Sequence, residues 1–211
     1  MILKQCKNTK ILVLRKLFHL CDKSEMMKRL FTAIPIPLSD KVKSNIRLMQ
    51  DSLKDERIRW IPAENMHLTL KFFGDTPGKQ VPDIVHALRQ AVANQPSFTM
   101  VLNRTGVFGS KHNPRVIWLG FEENPDINQL KSNIVSSLEE IGLYEDRQNF
   151  VPHLTIARIK RLSDKVYFQK VIDTYKDRFY QEISCNKLVL YESILEPAGA
   201  RYKVIEDFFL E

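Results

Sequence analysis

The chain has 211 residues, 44% hydrophobic and 27% charged, which excludes a disordered or fibrous protein and suffices for one domain or two small fused lobes. The formal net charge is +7, so an anionic partner is expected. Three cysteines are too few for a disulfide scaffold and favour a reducing compartment, the cytoplasm, and no apolar run reaches the ~18 residues of a membrane span.

Residues 1–25 differ from the rest. Six basic side chains (Lys4, Lys7, Lys10, Arg15, Lys16, Lys23) stand against Asp22 and Glu25, and the apolar stretch from Ile11 to Leu20 is interrupted by Arg15 and Lys16. A secretory signal needs an unbroken apolar core and a small-residue cleavage site, and neither is present. The segment is expected to be an N-terminal extension outside the fold, with residues 26–211 forming one bilobal domain. The alternative is a basic amphipathic arm that touches membrane or nucleic acid.

From Lys28 the pattern becomes regular. Arg29 to Ile36 reads as a strand bounded by Pro35 and Pro37. Ser39 is a candidate N-cap, and Val42, Ile46, Met49 and Leu53 then recur at helical spacing. Arg57 to Ile61 is a short strand, and His67 to Phe73 alternates before a turn signal at Gly74-Asp75. Val81 to Ala93 is a helix with Pro82 in its first turn. In the second half, Phe98 to Phe108 and Arg115 to Phe121 are strands joined by a polar loop. Asp126 to Leu143 is a helix, His153 to Ile159 an alternating strand, and Lys165 to Tyr175 a helix. Glu182 to Ser193 and Tyr202 to Phe208 are the last strands. No Gly/Ser linker separates the halves, so one α+β body with two similar antiparallel lobes is predicted.

The strongest signal is a repeat. His67-Leu68-Thr69-Leu70 matches His153-Leu154-Thr155-Ile156. Random placement of five histidines and eight threonines gives about 0.2 His-x-Thr matches in the whole chain, so two near-identical ones are not accidental. On a strand, residues i and i+2 share a face and lie roughly 6.5–7 Å apart. Each copy therefore shows an imidazole and a hydroxyl on one side and sends two aliphatic side chains to the other. Two such strands around one cleft suit in-line displacement at phosphorus. One histidine takes a proton from water, the other gives one to the leaving oxygen, and the hydroxyls and a nearby arginine hold the phosphoryl oxygens. His19, His86 and His112 have no Thr at i+2.

The paired motifs resemble those of the 2H phosphoesterases. The surrounding residues are similar to one branch, the RNA 2′,3′-cyclic phosphodiesterases, also called 2′-5′ RNA ligases. The likeness rests on Arg29 to Ile34, on Arg59-Trp60-Ile61-Pro62 through His67 to Gly74, and on Gly106-Val107-Phe108. It extends to Pro114 to Gly120, Pro152 to Arg158, and Tyr191-Glu192-Ser193 to Gly199-Ala200-Arg201-Tyr202. The resemblance implies a bilobal fold with two pseudo-symmetric lobes, whose antiparallel sheets face a central cleft with helices outside. It also implies metal-independent hydrolysis of RNA 2′,3′-cyclic phosphate ends to 2′-phosphomonoesters, without a cofactor. In that reaction His67 is the proton donor and His153 the acceptor. Thr69 and Thr155 hold phosphoryl oxygens, and Arg158 contacts the phosphate. Phe108 and Tyr202 are candidates to stack a base, or to pack in the core. Strict alternation puts Thr155 and Ala157 on the cleft side and Arg158 on the other, so Arg158 needs a bulge or a strand end to reach the phosphate. The loop has Gly109 where relatives often carry proline.

The partners implied are RNA ends or nucleoside 2′,3′-cyclic phosphates, with no membrane and a monomeric protein. Three rivals remain. A two-histidine zinc site lacks a third protein ligand in the sequence. A non-catalytic RNA- or nucleotide-binding module would not need two proton carriers. The same enzyme class could act on 2′-5′ linkages, on cyclic ADP-ribose phosphates or in ligation of tRNA halves. Charge sharpens the picture: the first 25 residues hold much of the excess, and Lys71, Arg158 and Arg201 are the local cations expected near the motifs.

Overall fold

The computed structural model describes residues 26–110, 112–144, 150–197 and 199–211. The expectations for residues 1–25 fall outside them. In chain order the elements are β1 (Met27–Pro35), α1 (Asp40–Ser52), β2 (Arg57–Trp60), β3 (His67–Pro77), α2 (Val81–Val92), β4 (Phe98–Ser110), β5 (Asn113–Phe121), α3 (Pro125–Glu139), β6 (His153–Arg161), α4 (Lys165–Thr174), β7 (Phe179–Cys185), β8 (Lys187–Glu196) and β9 (Gly199–Phe209). Short 3₁₀ turns at Ala63–Asn65 and Gly78–Gln80 lead into β3 and α2.

The helices start where the sequence supplies acceptors. Ser39 Oγ accepts from the Val42 amide, Asn124 Oδ1 from the Asp126 and Ile127 amides, and Asp164 Oδ1 from the Tyr167 amide. Such caps are each worth about 1 kcal/mol. The expected apolar stripes are buried: Val42, Ile46 and Met49 in α1, Ile84, Leu88 and Val92 in α2, and Ile127, Leu130, Ile134 and Leu138 in α3. α3 ends earlier than the periodicity predicts, because Gly142 adopts φ +80 and turns the chain; Ile141 is left exposed.

All strand pairs are antiparallel, and the main path runs β7-β4-β5-β6-β3-β1-β8-β9, with β2 alongside β6. The two lobe sheets are continuous. They meet where β3 and β6 pair through Leu68 and Leu154. Reading outward from that seam, β3-β1-β8-β9 mirrors β6-β5-β4-β7, so each motif strand is the innermost strand of its lobe. Leu68, Leu70, Leu154 and Ile156 are at most 3% exposed and enter one core with α2 and α3 residues. Burying each such side chain contributes roughly 1.5–3 kcal/mol.

Three local expectations change. Gly74-Asp75 does not end β3. The register against β1 slips there, with Leu30 opposite Gly74 and Phe31 opposite Phe72, and Gly74 takes φ +72 inside a β-bulge. The polar loop after Phe108 is a hairpin, with Gly109 paired to Pro114 and Ser110 to Asn113. Gly109 has φ +116, a conformation closed to proline, so this hairpin needs its glycine. The run from Glu182 to Ser193 is two strands. They part at Asn186, and β7 joins β4 in one lobe whereas β8 joins β1 in the other.

Candidate active site

The two histidines are held in the same way. His67 Nδ1 donates to the Asn65 carbonyl at 2.7 Å, and His153 Nδ1 donates to the Val151 carbonyl at 2.7 Å. A carbonyl oxygen can only accept, so Nδ1 carries the proton and Nε2 of the neutral ring is left with its lone pair. The anchor lies two residues upstream in both copies, and each proline of the sequence reading (Pro62, Pro152) stiffens the backbone near it. That backbone anchor has no side-chain signature, and the sequence does not announce it.

Aromatic rings collar each imidazole. Around His67 stand Phe31 (centroids 4.9 Å apart, tilted) and Tyr202 (5.2 Å, edge-on), with Tyr191 at 6.5 Å. Phe108 meets His153 edge-on at 4.7 Å and also packs against Trp118 at 5.2 Å. Phe108 is thus a support for the histidine and is not among the residues lining the main cleft, whereas Tyr202 both supports His67 and lines it. Phe31 and Tyr191 are not among the sequence candidates. They lie on β1 and β8, far from either motif in the chain, and only sheet order brings them in.

The cleft beside His67 has a volume of about 590 Å³. His67, Thr69, Arg158 and Tyr202 line it. His153 and Thr155 are half-buried on the motif face of the adjoining strand. Burial pushes the His67 pKa down; its anchor to Asn65 opposes this, and the positive charges of His153 and Arg158 add to it. Burial likewise lowers the His153 pKa against its Val151 anchor, again with help from Arg158. Burial raises the Tyr202 pKa, so the phenol keeps its proton at neutral pH.

Arg158 reaches the cleft through a bulge. Thr155 pairs with Trp118 and Ala157 with Ile117, so Ile156 is an extra residue in β6. Ile156 and Ala157 are both fully buried in succession, and alternation resumes one step late, with Arg158 exposed in the cleft. β3 carries the same device: Thr69 pairs with Ala33 and Lys71 with Thr32, which makes Leu70 the extra residue. The structural counterpart of Arg158 is therefore Phe72, three residues after Thr69, and not Lys71. The Lys71 ammonium donates to the Tyr144 carbonyl at 2.9 Å and does not line the cleft. Phe72 does line it, is 48% exposed, and has the Arg29 guanidinium 4.9 Å above its ring. Arg59, Lys160 and Arg201 add positive charge to the wall; Arg201 is paired with Glu196 at 2.7 Å. Sequence reasoning does not name Arg29, Arg59, Lys160 and Phe72 as site residues, because only the fold brings them to the cleft.

Among the described residues no three His, Cys, Asp or Glu side chains are grouped as a metal ion would need. No helix among them is long and apolar enough to cross a membrane.

Comparison with known proteins gives a consistent picture. The profile described as LigT like Phosphoesterase matches twice in succession, over residues 36–118 and 119–202, and each match contains one motif. The RNA 2′,3′-cyclic phosphodiesterase of Methanocaldococcus jannaschii is 33% identical over 180 residues, covering 85% of this chain and 99% of that protein. The protein of the same name from Thermotoga maritima is 32% identical over 176 residues, covering 82% and 92%. Among solved structures, TT0787 of Thermus thermophilus superposes with a TM-score of 0.72 at 26% identity, covering 86% of this chain and 97% of that one. E. coli LigT complexed with 3′-AMP superposes at 0.69, covering 87% and 98%, and at 24% identity shares the fold. The doubled profile match, the relatives at about one-third identity and the shared curled sheet lead to one conclusion: the chain belongs to the LigT-like phosphoesterase family.

Proposed function

We propose that this protein hydrolyses the 2′,3′-cyclic phosphate at an RNA end to a 2′-phosphomonoester, with its own side chains as the acid and base. The observation that carries the reading is the matched pair of histidines, each with Nδ1 tied to a backbone carbonyl and Nε2 available at one seam. The names of the homologous proteins supply the substrate class.

Water attacks phosphorus and loses a proton to Nε2 of His153. The new P–O bond forms in line with the P–O3′ bond, which breaks. The departing O3′ takes the proton held on Nε2 of a protonated His67, and the phosphate stays on O2′. Thr69 and Thr155 hydroxyls hold the non-bridging oxygens, and Arg158 neutralises their charge. Proton exchange with solvent resets both rings. Nδ1 anchoring keeps each ring plane and tautomer constant through the cycle. The chain works as one bilobal unit over residues 26–211, as a monomer, in the cytoplasm where RNA ends arise, and without metal.

The decisive experiment is product analysis on an oligonucleotide ending in a 2′,3′-cyclic phosphate, with chelator present. The expected product is the 2′-phosphate. A 3′-phosphate would reverse the identity of the leaving oxygen, and binding without turnover would leave a non-catalytic module.

A further inference from the structure

Resting on that reading, we infer that the RNA leading away from the cyclic end follows β6 and places an upstream phosphate in a second cavity.

Beyond the end of the cleft lies a cavity of about 230 Å³. His112, Lys160, Arg161 and Lys165 line it, and none of its described lining residues is acidic. Lys160 borders both spaces. β6 therefore runs as a basic rail: Arg158 in the cleft, Lys160 at the junction, Arg161 and the following Lys165 at the second cavity. Lys160 is the extra residue of a bulge in β6, between Ile159 opposite Ile58 and Arg161 opposite Arg57.

The neighbouring strand adds to the positive field. Arg57 on β2 pairs with Arg161. Like charges directly opposite across a ladder destabilise it, and an anion laid over them relieves the repulsion. The nearby carboxylates are turned to other work. Glu56 accepts from the Ser163 and Asp164 amides at 2.6 and 2.8 Å, and Asp164 caps α4. The cavity floor is held in place, since Lys165 Nζ donates to the His112 carbonyl at 2.7 Å and ties the β4–β5 hairpin to α4. A single-stranded RNA meets this geometry: its cyclic end sits at the histidines and its diester phosphates follow the rail.

The test compares adenosine 2′,3′-cyclic phosphate with a pentaadenylate ending in a 2′,3′-cyclic phosphate. Wild-type protein should show a kcat/KM about tenfold or more higher for the pentamer, carried by KM. The preference should decline with salt at about 0.7 log units per log unit for each phosphate contacted. The double variant Arg161→Gln/Lys165→Gln should lose most of that preference and part of the salt slope, with turnover of the mononucleotide unchanged, which also reports an intact fold. Equal kcat/KM on both substrates in the wild type overturns the proposal, as does a preference that survives the double variant. Turnover of neither substrate by the wild type would instead overturn the hydrolase reading on which the proposal stands.

Discussion

Leu68 on β3 is the antiparallel partner of Leu154 on β6. His67 and Thr69 flank Leu68 on β3 as His153 and Thr155 flank Leu154 on β6. The two motifs are therefore neighbours within one curled sheet, related by a pseudo-two-fold through a buried leucine pair. Leucines on the hidden face align the reactive groups on the open one.

The two motif histidines come first. His67→Ala and His153→Ala should each lower turnover of a 2′,3′-cyclic phosphate by about 10²–10⁴-fold. Neither should unfold the protein, because each imidazole is only half-buried and its anchoring hydrogen bond is to a backbone carbonyl. Circular dichroism and steady-state kinetics on the same samples check both halves; a variant with near-normal rates loses the role assigned to its histidine.

A second prediction is pH dependence. Burial lowers both histidine pKa values below the ordinary 6.5. The unfolded chain therefore binds protons first as pH falls, and stability, complete above about 6.5, declines from there down to the folded-state values. A Tm-against-pH series should show this slope in the wild type and a shallower one in His67→Gln/His153→Gln. Inorganic phosphate should stabilise more at pH 6 than at pH 8, since an anion between the rings favours their protonated forms. Equal phosphate-induced Tm shifts at the two pH values would contradict the site.

Arg158 has two effects that one substitution separates. Arg158→Gln should raise KM and lower kcat on cyclic phosphate substrates, and it should also raise the pKa of both histidines, because its charge now depresses them. Histidine titration by NMR reads the second effect without substrate. Unmoved titration midpoints would place the guanidinium farther from the rings than the cleft geometry has it.

Phe72 should act on the base. The ring is exposed in the cleft with Arg29 stacked over it, a platform on which a nucleobase can lie. Phe72→Ala should raise KM for a nucleoside 2′,3′-cyclic phosphate about tenfold, within the 1–3 kcal/mol of a base–aromatic stack. Phe72→Trp should retain most binding. Ribose 2′,3′-cyclic phosphate, which has no base, should be turned over equally by all three proteins.

Gly106 tests the support behind His153. A Cβ there would lie 2.1 Å from Trp118 Cζ2, inside the indole, so the ring must move. Trp118 packs on Phe108, which packs on His153. Gly106→Ala should cost about 1–3 kcal/mol of stability. The expected Tm loss is about 2–4 °C per kcal/mol, with kcat falling further than KM changes. A variant with unchanged Tm and kcat would show that the indole can shift without disturbing the histidine.

Local pattern carries much of this. The His-x-Thr pairs with aliphatics between them define which face of each motif strand is reactive, because alternation is a property of a single strand. Helix stripes and caps are equally legible, since they depend on residues three or four apart. Asn186 is not: Glu182 to Ser193 is continuous in β propensity, and only competition between two distant partner strands, β4 and β1, divides it into β7 and β8. Arg158 is the sharper case. Its identity is written in the chain, but its side depends on Ile156 being squeezed out of register with β5.

What the amino-acid sequence by itself determined is the duplicated half, the paired His-x-Thr motifs and the inward and outward faces, all short-range consequences of backbone geometry. The tertiary structure decided what closes around them: the bulges that bring Arg158 and Phe72 to equivalent positions, and the collar of Phe31, Tyr191, Tyr202 and Phe108. It also decided the basic rail from cleft to second cavity. These depend on which strands become neighbours and in what register, and that is settled by burying Leu68 against Leu154 and the rest of one shared core, not by any segment alone.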